Sequence, residues 1–155
     1  MIDNFKKSAD GYQKSYISTI VFIISAPYIL NETNDNTIKL PSLWGDIPRS
    51  DGIYLMAIIY VLLQISLLLY AKQSAKIYNN ELLSEESKYI AAFYPSLINL
   101  CMINDTIRVL VVSIPISLFL ILSFLLNPFG FQVGVIPALL IHLPIVLTIC
   151  YLPKK

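Results

Sequence analysis

The chain has 155 residues, of which 56% are hydrophobic and 14% charged, with a mean hydropathy of +0.68 and a formal net charge of +1. Soluble domains average about 25% charged residues, so this composition excludes an ordinary soluble domain and points to a membrane protein. The near-neutral balance offers no overall attraction to a charged partner.

A hydrocarbon core about 30 Å thick takes roughly 20 mostly apolar residues per helical span. Four segments qualify to different degrees. The expected fold is therefore an all-α integral membrane protein made of one four-helix transmembrane domain, with spans at about residues 12–30, 53–71, 107–126 and 131–152. An outer loop then covers residues 31–52 and an inner loop residues 72–106.

The opening "MIDNFKKSADGYQKS" has lysines but no small-residue cleavage site after it, so the first apolar run, "ISTIVFIISAPYIL", reads as a retained span. That run is short. It crosses only if it begins near Tyr12 with Lys14 snorkelling to the interface. The outer loop, "NETNDNTIKLPSLWGDIPRSDG", suits turns and an irregular cap. After the second span, "IYLMAIIYVLLQISLLLYA", the inner loop first continues as helix, and Ser84 before Glu85 and Glu86 opens another. "YIAAFYPSLINLCMI" is apolar enough to lie on the membrane surface or against neighbouring helices. Asn104 or Asp105 caps the third span, and "NPFG" turns it into the fourth.

Basic residues near span ends set orientation. Lys6, Lys7, Lys14, Lys72, Lys76, Lys88, Arg108, Lys154 and Lys155 share one side, against Lys39 and Arg49 on the other. Both termini are thus expected in the cytoplasm, and the protein in the cell inner membrane as a multi-pass chain. Tyr28, Trp44 and Tyr54 fall at the outer boundary, and Tyr16, Tyr70 and Tyr151 at the inner one. The outer loop is acidic (Glu32, Asp35, Asp46, Asp51). The basic inner face is read either as topology alone or as attraction for an anion, a lipid headgroup or a nucleotide signal.

The sequence has no Gly-rich phosphate loop, metal-ligand cluster, nucleophile elbow or second histidine, and its ten acidic residues fall outside the spans. No enzyme activity, catalytic residue, metal site or cofactor is expected. Cys101 and Cys150 read as packing residues without a disulfide. The sequons at Asn31 and Asn104 would fall on opposite sides of the membrane, and no glycosylation is assigned to them.

Polar residues inside the spans carry the remaining signal, because polar side chains in lipid are costly. His142 lies eleven residues below Phe131, and Gln64 eleven below Ile53. At about 1.5 Å per residue both sit roughly 16 Å deep, near the midplane. Ser117 comes to a similar level, and Ser113 shares its face one turn away. His142 thus has Gln64 as its first expected partner and Ser117 as its second. Two readings stay open: an interhelical hydrogen bond that holds a bundle together, or a ring of such residues lining a narrow pore around a shared axis. Pro27, Pro115, Pro137 and Pro144 each free carbonyls that neighbours must satisfy. Gly134 and Ala138 form a small-xxx-small pair.

"IKLPSLWGDIPRSDGIYLMAIIYVLLQISLLLYAK", followed by "AFYPSLINLCMINDTIRVLVVSIPISLFLILSFL", resembles a multi-span membrane module of bacterial proteins that often precedes pentapeptide repeats. The resemblance rests on the Leu-Pro and Ile-Pro pair before an apolar span ending in Leu-Tyr, and on Phe-Tyr-Pro leading into the next. The chain stops after the fourth span, so a free-standing version without a repeat domain is expected. In architecture it is similar to small membrane effectors of bacterial antiphage operons, such as the Hailong type, a channel controlled by an oligonucleotide. That similarity implies inner-face contacts to an anionic signal, for which Lys72, Lys76, Lys88 and Arg108 are the first candidates.

The expected function is a homo-oligomeric ion channel or membrane-permeabilising effector in antiviral defence, gated by a cytosolic nucleotide or oligonucleotide. Its midplane set is Gln64, Ser113, Ser117 and His142, and several copies are needed to enclose a pore. The alternative is a non-conducting anchor or accessory subunit whose inner loop docks a cytosolic partner. A transporter ranks third, since intramembrane charges are few and no repeat is visible.

Overall fold

Two of the four expected spans appear in the computed structural model as helices long and apolar enough to cross a membrane: α2 (Arg49–Tyr78) and α5 (Asp105–Leu126). The structure describes residues 2–31, 37–39, 46–80, 84–126 and 140–153, and among them are six helices and one short ribbon. The buried line of α2, Met56, Tyr60, Gln64, Leu67, Ala71 and Ser74, recurs every three or four residues. Its other sides remain apolar, with Tyr54, Ile58, Leu62 and Leu69 all more than half exposed. A helix apolar all round needs apolar surroundings on every side.

The first helix, α1 (Ile2–Asn31), begins ten residues before Tyr12. Packing is the reason. Phe5, Ala9 and Tyr12 are fully buried in the same cluster as Leu67 and Ala71, so the segment that reads as a charged tail has an apolar stripe of its own. Asp3 in the first turn also suits the positive end of the helix dipole. With Asp3, Lys6, Lys7, Asp10 and Lys14 in its first half, α1 stands apart from the two spanning-type helices.

The pairing of α1 with α2 depends on one glycine. A methyl group at Gly11 would overlap the ring of Tyr70, so the missing side chain is what seats that ring against α1. Two hydroxyl ties flank this contact. Ser74 Oγ donates to Ser8 Oγ at 2.9 Å, and Ser8 Oγ in turn to the Tyr70 carbonyl at 3.0 Å. Ser15 and Ser66 share a hydrogen bond of 2.9 Å.

The connection between α1 and α2 is not wholly irregular. β1 (Thr37–Lys39) and β2 (Asp46–Pro48) pair antiparallel, Thr37 opposite Pro48 and Lys39 opposite Asp46. Pro48 is tolerated at the end of a two-stranded ribbon, where its missing donor interrupts no central ladder.

At the other end of the bundle two short helices follow α2, which does continue well past residue 71. Ser84 caps α3 (Glu85–Ala92), its Oγ accepting from the Ser87 N–H at 3.2 Å. Ser96 caps α4 (Leu97–Ile103) through the Asn99 N–H at 3.3 Å. Of the two expected caps for α5, Asn104 does the work, its Oδ1 accepting from the Thr106 N–H at 2.7 Å.

The last segment differs from an unbroken span. Residues 140–141 are helical, His142 is in a turn, and α6 (Leu143–Tyr151) then runs for nine residues, about 14 Å, which is half a bilayer. Pro144 in its first turn explains where α6 starts, because proline favours that position and cannot donate into a preceding turn. The first part of the expected 131–152 span, the "NPFG" turn, Gly134, Pro137 and Ala138 lie outside the described residues.

Candidate functional site

The break at His142 places polar groups where the bundle is otherwise apolar. The first turn of any helix leaves backbone N–H groups without acceptors in the helix, and in a buried helix start another group must supply them. Here Gln64, fully buried on α2, accepts from the Ile145 N–H through Oε1 at 3.4 Å. Gln64 was expected to pair with the His142 side chain. Its oxygen is instead taken by the backbone that the break exposes. Further along, Thr148 Oγ1 donates to the Ile145 carbonyl at 2.6 Å.

His142, 4% exposed, sits in an aromatic setting. Its ring stands nearly perpendicular to Tyr60 (5.6 Å between centroids, 73°) and to Phe119 (4.9 Å, 71°), which stack on each other at 5.0 Å. Phe22 of α1 stacks on the far side of Tyr60 at 6.3 Å. Edge-to-face contacts of this kind let an imidazole rest in apolar surroundings. Among the described residues, the Tyr60 hydroxyl and Gln64 Nε2 are buried hydrogen-bonding groups with no partner.

Ser113 and Ser117 do not join this set. Ser117 is exposed on the outside of α5, and the half-buried Ser113 donates to the Leu110 carbonyl at 3.1 Å. The expected second partner of His142 therefore faces away from the bundle interior.

The four basic candidates also separate. Arg108 is 3% exposed, and its guanidinium donates to Asp105 Oδ1 (2.8 Å), the Cys101 carbonyl (3.2 Å) and the Pro153 carbonyl (3.1 Å). It ties α4, α5 and the residues after α6 together, so it is a structural clamp rather than an open anion contact. Lys88 pairs with Glu85 at 2.9 Å. Lys72, exposed, lies over the Tyr151 ring at 5.6 Å, and Lys76 is exposed one turn further along α2. Cys101 is fully buried, and burial pushes its thiol up to about 11, partly opposed by the nearby Arg108 charge.

Three contacts carry no sequence signal of their own. The Tyr16 hydroxyl donates to the Val111 carbonyl at 2.9 Å. Tyr94 donates to Asp10 Oδ1 at 2.7 Å, with Lys6 Nζ 5.9 Å from the centre of its ring. The Asn99 amide donates to the Ala91 carbonyl at 2.7 Å and to the Tyr94 carbonyl, fixing α3 on α4. Among the described residues no group of three or more His, Cys, Asp or Glu could hold a metal ion.

Compared with known protein families, curated proteins and solved structures, the chain matches none.

Proposed function

We propose that the chain is a multi-pass inner-membrane protein that assembles from several copies into an ion channel or membrane-permeabilising effector. The observation that carries this reading is the outward stripe of α5. Leu110, Ile114, Ser117 and Ile121 follow one another three or four residues apart, Ser113 lies one turn before Ser117, and Leu110, Ile114 and Ile121 are each at least half exposed. Hydroxyls facing lipid tails are disfavoured, whereas small residues four apart let helices approach closely. Copies arranged around an axis would turn Ser113 and Ser117 inward as polar rings between apolar ones, a lining that gates by dewetting.

In this arrangement Gln64 and His142 support α6 inside each protomer, and the lining role passes to α5. A gating nucleotide or oligonucleotide would meet Lys72 and Lys76, the two exposed candidates one turn apart. The antiphage setting comes from the family resemblance. The deciding experiment is ion flux from liposomes holding the purified protein, with its oligomeric state measured in the same detergent and candidate nucleotides added. Ser117→Leu should abolish flux at unchanged oligomer size; unchanged conductance would refute the lining.

The hydrogen bond from Ile145 to Gln64 inside one protomer favours a second reading, a non-conducting membrane anchor for a cytosolic partner. It predicts inert liposomes under every added nucleotide.

A further inference from the structure

The exposed apolar residues of α3 and α4 collect on one side of the bundle end. On α3 the exposed positions Tyr89, Ile90 and Phe93 share a face, and the Tyr89 and Phe93 rings meet at 4.5 Å. On α4, Ile98, Cys101 and Met102 are buried, yet Leu100 and Ile103 are 47% and 65% exposed. A helix apolar on its exposed side as well as its buried side needs an apolar medium on both. Beside it, Phe93, Tyr94, Pro95, Leu97, Leu100 and Ile103 help line an open cleft of about 470 Å³.

The level of these residues identifies the medium. Ile103 precedes the start of α5 at Asp105 by two residues, and α5 is one of the two spanning-type helices. Exposed apolar surface then continues along α5 at Val109 and Leu120, outside the stripe assigned to the lining. The patch therefore lies where a membrane crossed by α5 would begin, with tyrosine at hand for the headgroup region.

We propose that α3 and α4 form a seat in the lipid boundary, with Tyr89, Ile90, Phe93, Leu100 and Ile103 buried among the upper acyl carbons of the leaflet at this end. Asn99 fixes α3 on α4 and the Tyr94–Asp10 contact holds the pair against α1, so the seat is built before lipid arrives. The inference rests on the membrane reading above, which the same experiment checks separately.

Trp44 is the chain's sole tryptophan, so a Trp44→Phe background leaves room for a single reporter. Phe93→Trp and Ile103→Trp report on the seat, and Leu120→Trp, half exposed on α5, reports on the span. In vesicles of one phospholipid brominated on its acyl chains, all three reporters should lose emission, while acrylamide in the water should leave them largely unquenched. Loss for Leu120→Trp alone, with acrylamide quenching at positions 93 and 103, would overturn the seat and leave that surface to a protein partner. No loss for Leu120→Trp would overturn the membrane reading itself. Two seat reporters guard against one substitution disturbing the fold.

Discussion

The Tyr16 hydroxyl bonds the one carbonyl of α5 that Pro115 strands. Proline lacks an N–H, so the residue four positions earlier, Val111, loses its helical donor, and Tyr16 reaches across from α1 to supply one at 2.9 Å. Tyr16→Phe should cost about 0.5–2 kcal/mol. In a Pro115→Ala background, where a backbone N–H returns, the same change should cost less. Thermal unfolding in mild detergent of the four proteins of this cycle measures the coupling, and additive shifts would show that the two residues act independently.

Gln64 gives a second test. Gln64→Leu leaves the buried Ile145 N–H without its acceptor, a loss of roughly 1–3 kcal/mol. Hydrogen exchange over residues 143–147 should quicken in this variant while exchange in the middle of α5 stays slow.

Arg108 and the two exposed lysines separate fold from recognition. Arg108→Met removes a buried cation bonded to two carbonyls and a carboxylate, and should lower stability by roughly 1.5–3 kcal/mol. Arg108→Lys should rescue only part of this, since an ammonium cannot span the fork. Lys72→Ala and Lys76→Ala should leave the melting temperature unchanged and remove any response to an added nucleotide.

Alkaline pH loosens the contact between Tyr94 and Asp10. The hydrogen bond to the Asp10 carboxylate, with its negative charge, raises the Tyr94 hydroxyl above its ordinary value of about 10. A folded-state value above the unfolded one means that the contact contributes fully below the ordinary value and is lost as pH rises through the folded one. A tyrosinate absorbance titration of the native protein, minus that of Tyr94→Phe, should show a midpoint above 10. Asp10→Asn should move it down.

Much of this architecture was legible in the residues. The unbroken apolar runs gave α2 and α5, Ser84 with two glutamates gave the start of α3, and the pair Asn104 and Asp105 held the cap of α5, which is Asn104, because each is a local signal. The start of α1 was hidden, since Asp3, Lys6 and Lys7 mask a stripe whose partner lies some sixty residues away. Arg108 counts as surface charge in any loop tally, and only the packing of α4 and the residues after α6 turns it inward. His142 stood out as the one histidine in an apolar run, and it is buried, but its company did not show. Aromatic neighbours at Tyr60 and Phe119 leave no polar trace in the sequence, and Gln64 turned to the backbone because Pro144 starts a helix there.

The serine ties on the α1–α2 pair constrain how the bundle moves. Ser8 with Ser74 and Ser15 with Ser66 sit two turns apart along the same antiparallel seam, with the Tyr70 ring wedged at Gly11 between them. Sliding one helix along the other would break both ties together and drive the ring into the backbone. The pair thus behaves as one rigid shaft. The same register carries Tyr16 to the Val111 carbonyl of α5 and Gln64 to the Ile145 N–H of α6, so both later helices are seated on that shaft.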